Sequence, residues 1–254
     1  MVRLILTVIK NIFNLYYIPY MRYVVSHPEK YDEEERYNIV KRISYLVTRA
    51  SRVETKYFGQ ENIPENGNYI ICSNHQGKFD ALAIVNGHDR PVSLLMDYER
   101  SFMLVVNEIM LMLDGKRMSR VDIKQAMGVI IEMTKELKEG RKFIIFPEGG
   151  YLKEKHNKIY PFKAGTFKSV QRAKSTIIPV ALIDTYKVYG EEKIGRVYNE
   201  VHYLEPITPD ELEGLNTTDI ATMVRMRIAN AISEIKEIAL DDVLEDIDAD
   251  TKLI

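Results

Sequence analysis

The segment YIICSNHQGKFDALAIV, residues 69–85, predicts the repeating unit of the fold. Residues 69–72 form a short apolar run that is typical of a buried strand. A polar stretch with one glycine follows, and residues 80–85 favour a helix. A strand, a loop and a helix in this order indicate an α/β domain.

The same alternation continues along the chain. Residues 92–96 and the run FIIF at 143–146 favour buried strands, and Asp122 is the predicted cap of a helix that ends near Lys138. Further predicted elements are helices over 31–55, 101–113, 165–173 and 219–239, a strand over 176–182, and a helix that begins at Thr208. We therefore expect an α/β fold with a mostly buried mixed sheet flanked by helices and an N-terminal amphipathic helical segment. The expected division is a membrane-associating helical segment at 1–56, a catalytic core at 57–207 and a C-terminal helical segment with an acidic tail at 208–254.

The composition is that of an ordinary globular protein of 254 residues. The formal net charge is −2, so no overall basic excess indicates nucleic-acid binding. Cys72 is the single cysteine, which excludes an internal disulfide framework. The histidines outside position 75 show no metal-ligand spacing, and no phosphate-loop or dinucleotide-binding glycine motif is present. We expect no metal and no bound cofactor.

Charge is distributed unevenly toward the C-terminal end. Residues 141–174 contain nine Lys and Arg against two Glu, and residues 237–250 contain seven acidic side chains and no basic ones. Such runs are usually solvated faces. The alternative is a basic surface for an anionic ligand or a membrane, with an acidic tail that stays away from it.

The first 25 residues, MVRLILTVIKNIFNLYYIPYMRYVV, favour an amphipathic helix. Its polar positions recur at a spacing that places them on one narrow stripe, and the remaining wide face is apolar. These positions are Arg3, Thr7, Lys10, Asn11 and Asn14. The polar interruptions are not typical of a transmembrane helix, and no small-residue cleavage site indicates a signal peptide. A broad apolar face beside basic residues suits the plane of a membrane surface, and the alternative is a helix packed on its own domain.

His75 and Asp80 follow the first predicted strand, and Glu148 follows FIIF. In open α/β sheets, ligands bind beyond the carboxyl ends of the strands. On a regular helix the side chains of His75 and Asp80 would lie about 140° apart, so they meet only if the chain turns between them, and Gly77 offers that turn. A histidine oriented by a carboxylate is a better base, whereas the alternative is an ordinary polar connection. No Ser or Cys nucleophile is recognisable, which favours direct activation of a substrate hydroxyl.

NHQGKFD at 74–80 resembles the His-x4-Asp motif of the glycerolipid acyltransferases, the family of 1-acyl-sn-glycerol-3-phosphate acyltransferase. FPEG at 146–149 resembles the family's third motif, and DGKRMSR at 114–120 resembles a degenerate second motif with Arg120 in the place of its arginine. FKAG at 162–165 and IPV at 178–180 are similar to later family segments. The motifs occur in the family's order.

The resemblance implies acyl transfer without an acyl-enzyme. His75 would remove the proton from an acceptor hydroxyl, Asp80 would orient the histidine, and the hydroxyl oxygen would attack the thioester of acyl-CoA or acyl-carrier protein. Glu148 and Gly149 are implied in binding the acceptor, and we expect backbone N–H groups near the turn at Gly149 and Gly150 to stabilise the oxyanion. The implied partners are a lyso-lipid acceptor, the thioester donor and a membrane surface. The implied location is the cytoplasmic face of the cell membrane, peripheral or monotopic.

Two departures from the family pattern concern the acceptor. Tyr151 stands where the family has an arginine that is implied in gripping the acceptor phosphate, and Asp97 stands near a position where the family has a lysine. The cations that we expect to compensate are Arg120, Lys153, Lys155 and Lys163. We expect 1-acyl-sn-glycerol-3-phosphate as acceptor. The alternatives are another lyso-lipid, a hydroxylated molecule without phosphate, and a non-catalytic lipid-binding protein with the same fold.

Overall fold

The computed structural model describes residues 2–152, 154, 156–191, 195–247, 251 and 253. Within these residues the helices are α1 (Val2–Lys10), α2 (Tyr17–Val25), α3 (Glu33–Ala50), α4 (Asp80–Asn86), α5 (Val106–Met112), α6 (Ile123–Lys138), α7 (Lys168–Ala173), α8 (Lys187–Gly190), α9 (Thr217–Lys236) and α10 (Leu240–Val243). The strands are β1 (Val53–Phe58), β2 (Tyr69–Ser73), β3 (Ser93–Asp97), β4 (Lys116–Met118), β5 (Phe143–Ile145), β6 (Thr176–Ile183) and β7 (Val197–Tyr203). Short 3-10 helices lie at Ile12–Tyr16, Gln60–Asn62, Arg100–Phe102 and Ala164–Phe167.

The strands of the described residues form one seven-stranded sheet in the order β1-β7-β6-β2-β5-β3-β4. All neighbouring strands run parallel except β6 and β7, which pair antiparallel. Helices cover both faces, and strand β2 is buried along its whole length. The predicted α/β class with a mixed, mostly buried sheet is confirmed.

The parallel arrangement positions the candidate site. The central strands β2, β3, β5 and β6 run in one direction, so their carboxyl ends meet at the same edge of the sheet. His75 comes two residues after β2, and Glu148 comes three residues after β5. The core packed against both faces of these strands therefore holds the two loops side by side.

The predicted helix over 31–55 is too long. Helix α3 ends at Ala50, and Arg52 adopts a φ of 57°. The chain then enters strand β1, which begins at Val53 and alternates between half-buried and exposed residues. This edge strand runs across the expected division between residues 56 and 57.

The predicted helix at Thr208 is wrong. The Thr208 backbone N–H donates to Glu211 Oε2 at 2.8 Å, so contacts of the expected cap do form. Only a turn follows, however, and Gly214 adopts a φ of 79°. The long C-terminal helix α9 begins instead after Asn216, whose side chain accepts from the backbone N–H groups of Thr218 and Asp219.

The polar stripe of α1 faces the protein. Arg3 is 3% exposed, and its Nη1 donates to the carbonyl oxygens of Ser51 and Gly195 at 2.8 Å each. Thr7 Oγ1 lies 2.9 Å from Ser51 Oγ. The large apolar side chains on the remaining surface of this segment are exposed: Val2, Ile5, Val8, Ile9, Ile12 and Phe13. The helix thus packs on its own domain through its polar side and leaves its apolar side open.

None of the helices in the described ranges is long and apolar enough to cross a membrane.

Part of the acidic run lies against basic side chains. Glu245 Oε1 lies 3.4 Å from Lys158 Nζ, and Asp246 Oδ1 lies 3.4 Å from Arg225 Nη2. The alternative in which the acidic tail stays away from the basic run is wrong for Glu245, since Lys158 belongs to that run, whereas Arg225 belongs to α9. Residues 248–250 lie outside the described part of the chain.

Candidate active site

His75 lies in the loop after β2, and Asp80 is the first residue of α4. Their side chains meet, with 2.7 Å between His75 Nδ1 and Asp80 Oδ2. Because a carboxylate oxygen accepts hydrogen bonds, we assign the hydrogen of this contact to Nδ1. The contact expected from the sequence is present, and the catalytic roles of the two residues stay predictions.

Asp80 itself holds the turn between the two residues. Its Oδ2 also accepts from the backbone N–H groups of Gln76 and Gly77. Gly77 is not in the left-handed region, and a Cβ added there would come no closer than 3.8 Å to Tyr186. The chain does bend at Gly77, as expected, but the backbone conformation there is one that other residues also adopt. The His75 ring and the backbone N–H groups of Gln76 and Gly77 all donate to Asp80 Oδ2, and these three hydrogen bonds hold the turn in place.

Two aromatic rings confine the imidazole of His75. The Phe146 ring stacks on it with 4.4 Å between ring centroids, and the Tyr151 ring approaches edge-on at 4.8 Å. The side chain is 20% exposed, so part of the ring still faces solvent. Burial raises the pKa of the Tyr151 hydroxyl, and the negative charge of Asp80 raises it further. Tyr151 is therefore a neutral side chain beside the histidine at physiological pH.

Glu148 joins two loops in the interior. Its Oε1 accepts from the His75 backbone N–H at 2.7 Å, its Oε2 accepts from the Tyr160 backbone N–H at 3.0 Å, and the residue is 1% exposed. This geometry favours a residue that positions His75, and the implied role in binding the acceptor stays a prediction. The site has no evident metal ligand set, since the described residues contain no cluster of three His, Cys, Asp or Glu that could hold an ion.

Two amide side chains beside His75 anchor the loop, and their contacts are absent from the sequence predictions. The Asn74 side chain donates to the Leu182 carbonyl at 3.0 Å and accepts from the Leu182 N–H at 2.8 Å. Gln76 Nε2 donates to the same carbonyl at 2.9 Å, and its Oε1 accepts from the Thr185 N–H at 3.0 Å. Both residues are buried. The available signal was that amides in a buried loop need partners, which the neighbouring strand end supplies.

Lys163 packs across Gly149. Gly149 adopts a φ of 77°, which favours glycine, and a Cβ there would displace the end of the Lys163 side chain, whose Nζ would lie 2.5 Å away. The Gly149 N–H already donates to the Phe146 carbonyl at 3.0 Å. The expectation that this N–H stabilises an oxyanion is therefore wrong for Gly149. Burial lowers the pKa of the Lys163 ammonium, and the positive charge of Arg120 lowers it further.

Arg120 and Asp97 form an ion pair, with 2.8 Å between Arg120 Nε and Asp97 Oδ2. The aspartate that replaces an expected cation thus neutralises one of the cations expected to compensate. Arg120 Nη1 also donates to the Leu253 carbonyl at 3.0 Å. The charges of Arg120 and Asp97 both act on the pKa of Lys163, so the three side chains form one cluster of net positive charge. Lys153 and Lys155 lie outside the described residues.

The chain matches a known protein family over its central part. The family model described as Acyltransferase covers residues 54–183, just over half of the chain. The chain belongs to the acyltransferase family. This confirms the family resemblance seen in the sequence and the prediction of an O-acyltransferase. His75, Asp80 and Glu148 all lie inside the matched range.

Proteins similar to this acyltransferase occur in several organisms. The 1-acyl-sn-glycerol-3-phosphate acyltransferase of Borreliella burgdorferi is 28% identical in an alignment of length 208, and the match covers 77% of this chain and 81% of that protein. The protein of the same name from Escherichia coli is 25% identical, over 68% of this chain and 71% of that protein. The crystal structure of the 1-acyl-sn-glycerophosphate (LPA) acyltransferase PlsC from Thermotoga maritima superposes with a TM-score of 0.75 at 21% identity, and the match covers 92% of this chain and 96% of that chain. The two proteins share a fold.

Proposed function

We propose that this acyltransferase moves a fatty acyl group from acyl-CoA or acyl-carrier protein to the free hydroxyl of 1-acyl-sn-glycerol-3-phosphate, as a step of phospholipid biosynthesis. The observation that carries the proposal is the His75–Asp80 pair, with 2.7 Å between Nδ1 and Oδ2, in a chain of the acyltransferase family. Relatives aligned over about three quarters of the chain carry this activity in their names.

The proposed reaction uses His75 Nε2 as the base. Nε2 accepts the proton of the acceptor hydroxyl while the hydroxyl oxygen attacks the carbonyl carbon of the thioester. The carbon–sulfur bond then breaks, and the departing sulfur takes the proton from His75, so that an ester and a free thiol are formed. The carboxylate of Asp80 stabilises the positive charge that His75 carries between the two steps. Glu148 holds the backbone of His75 in place throughout.

The acceptor phosphate is proposed to bind at the cluster of Lys163, Arg120 and Asp97. Lys163 lies against Gly149, two residues before Tyr151, and the Tyr151 ring contacts His75. The cluster carries a net positive charge, and a phosphate oxygen would form charge-assisted hydrogen bonds with an ammonium and a guanidinium. Lys163 is accessible to solvent, and its pKa is lowered by partial burial and by Arg120, so its ammonium gains from an anionic partner.

A different acceptor is the second candidate, and Tyr151 favours it. Its ring is packed against His75 at the position where the family has the phosphate-gripping arginine. A tyrosine supplies no charged, forked set of donors. An acceptor without phosphate would use the histidine and need neither Lys163 nor Arg120.

The enzyme is proposed to act at a membrane surface, on the cytoplasmic face of the cell membrane. The exposed side chains of α1 and the following turn form an apolar face, and its polar stripe is fixed to the domain by Arg3. Such a face partitions into the boundary between lipid headgroups and acyl chains. The enzyme would then meet its lipid substrate without leaving the surface.

The activity test is thiol release by purified protein in detergent, with acyl-CoA and with acyl-carrier protein as donors. Lysophosphatidic acid is compared with other lyso-lipids and with polar alcohols, and His75→Ala is the matched control. Release with lysophosphatidic acid that is lost in His75→Ala supports the proposal. Release only with an acceptor that lacks a phosphate monoester supports the second candidate. Full activity of His75→Ala contradicts both.

The membrane test uses substitutions on the apolar face of α1. Deleting residues 1–25 is unsuitable, because it removes Met21 and Val24 from the core. The double change of Ile9 and Phe13 to Asp leaves the core intact and should abolish sedimentation with anionic liposomes. Tyr198→Asp, at an exposed position of β7, is the matched control. Unchanged sedimentation of the α1 variant would reject the membrane role of this face.

A further inference from the structure

The residues Phe102, Met103 and Leu104, here called the apolar loop, expose three consecutive large side chains beside the candidate site. Their exposed fractions are 53%, 55% and 66%. The apolar loop follows the carboxyl end of β3, so it lies at the same edge of the sheet as His75. Asp97, the last residue of β3, pairs with Arg120 of the cation cluster described above, so the loop begins close to that cluster.

A buried support holds the apolar loop outward. Val105, the next residue, adopts a φ of 70°, which a β-branched residue rarely does. The Val105 N–H donates to Glu108 Oε2 at 2.9 Å, and Glu108 is 1% exposed. Backbone strain of this kind persists only where the surrounding structure imposes it. The exposure of the loop is therefore built into the fold.

The same support connects the apolar loop to the N-terminal helices. Glu108 Oε1 accepts from Arg22 Nε at 2.9 Å and from Arg22 Nη2 at 2.7 Å. Arg22 belongs to α2, which exposes the aromatic side chains of Tyr20 and Tyr23. The apolar loop is thus connected, through one ion pair in which two guanidinium nitrogens donate to a single carboxylate oxygen, to the segment whose apolar face is proposed to rest on the membrane.

We propose that the apolar loop is a second membrane contact, which enters the same leaflet as α1 and turns the sheet edge with His75 toward the bilayer. The inference rests on the proposed membrane-surface function and adds to it a fixed orientation. A lipid surface is the favoured occupant because the guanidinium of Arg117 lies 4.3 Å from the centre of the Phe102 ring. A cation beside an apolar ring suits the headgroup level of an anionic membrane.

Two membrane contacts restrict the orientation of the domain more than a single contact does. A single amphipathic helix lets the domain rotate about the helix axis, whereas α1 and the apolar loop together fix which face meets the lipid. Further exposed apolar side chains at Val121 and Ile123, just after β4, extend the contact along the same edge. The acceptor would then approach the histidine from the bilayer side.

The test uses a tryptophan as a depth probe, since the chain contains none. Leu104→Trp is mixed with vesicles of phosphatidylcholine and phosphatidylglycerol that carry brominated acyl chains. We expect its emission to move to shorter wavelength and to be quenched. Lys138→Trp, at the exposed end of α6 near the amino end of β5, is the matched control and should stay unquenched. Phe13→Trp reports the α1 contact separately.

The outcomes distinguish the membrane contact of the apolar loop from that of α1. Quenching at positions 104 and 13 but not at 138 supports the second contact. Quenching at 13 alone overturns it and leaves the α1 contact standing, and quenching at neither overturns both contacts. Leu104→Asp should weaken vesicle partitioning by about tenfold, and an unchanged value also overturns the inference. Thiol release in detergent micelles, measured on the same variants, reports the acyl-transfer function independently of any membrane contact.

Discussion

Replacing Asp80 with Asn tests whether this carboxylate acts through His75. Asparagine keeps an oxygen at the Oδ2 position, to which the His75 ring and the backbone N–H groups of Gln76 and Gly77 donate. Asp80 Oδ1 is buried and has no hydrogen-bond partner in the described structure, so an amide nitrogen there would meet no opposing donor. The substitution therefore removes the charge while it keeps the shape of the loop.

The substitution should destabilise the protonated form of His75, because the negative charge that stabilises it is removed. A hydrogen bond to a charged group is worth about 1.5–3 kcal/mol, against about 0.5–1.5 kcal/mol for a neutral pair. Here the Asp80 carboxylate is buried and the substitution also removes an attraction between opposite charges, so we take a loss of about 2–3 kcal/mol in the transition state. This corresponds to a fall in kcat of about 30- to 160-fold. Removing the base itself in His75→Ala should cost more, about 100- to 10,000-fold.

The assay is steady-state thiol release at saturating donor for the wild type, the two single variants and the double variant. Because Asp80 has no base left to orient once His75 is gone, the double variant should be no slower than His75→Ala alone. Urea unfolding with an unchanged m-value checks that each variant is folded. If the two losses multiply, or if Asp80→Asn keeps the full kcat, the carboxylate does not act through the histidine and the reasoning is refuted.

Three further changes test other parts of the structure. Tyr151→Arg supplies a forked cation and should lower the KM for lysophosphatidic acid by about tenfold in thiol release; an unchanged KM would mean that the existing cations suffice. Gln76→Leu leaves the N–H and hydroxyl of Thr185 without their acceptor, and should lower the free energy of unfolding in urea by about 2–4 kcal/mol, whereas the exposed Gln171→Leu should change it by less than about 0.5 kcal/mol. Burial lowers the pKa of His88 to about 4, so the unfolded chain binds the proton first, and stability present above about pH 6.5 should fall by about 3 kcal/mol as the pH drops toward 4. Urea titrations should show a shallower pH slope in His88→Gln, and an equal slope would contradict this origin.

The fold was predictable where strands are buried on both faces. YIICS and FII read as continuous apolar runs because helices cover both sides of β2 and β5. VETKYF in β1 contains two charged residues and alternates in burial, since this strand lies at the edge of the sheet. Its first three residues, 53–55, were predicted as the end of a helix because they continue the adjoining helical pattern of α3. The alternation in VYNEVHY of β7 was a usable signal that the predictions did not include.

The sequence could not predict which side of α1 faces the protein, nor which residues pair across large separations in the chain. Periodicity separates the two sides of α1, but it does not say which side meets the protein, and only the partners of Arg3 decide that the polar side is inward. The contact of His75 with Asp80 was expected because the resemblance to the His-x4-Asp motif implies that the carboxylate orients the histidine. The pairing of Arg120 with Asp97 joins the ends of two different strands, and no local pattern encodes it.

Glu148 ties together parts of the chain that are far apart in sequence. Its partners, the backbone N–H groups of His75 and Tyr160, lie 73 residues before it and 12 residues after it. The carboxylate, rather than the intervening chain, sets the distance between these loops. Insertions and deletions on the surface between them can therefore accumulate during evolution without displacing the histidine. A lineage can remodel the surface between these loops while His75 keeps its place.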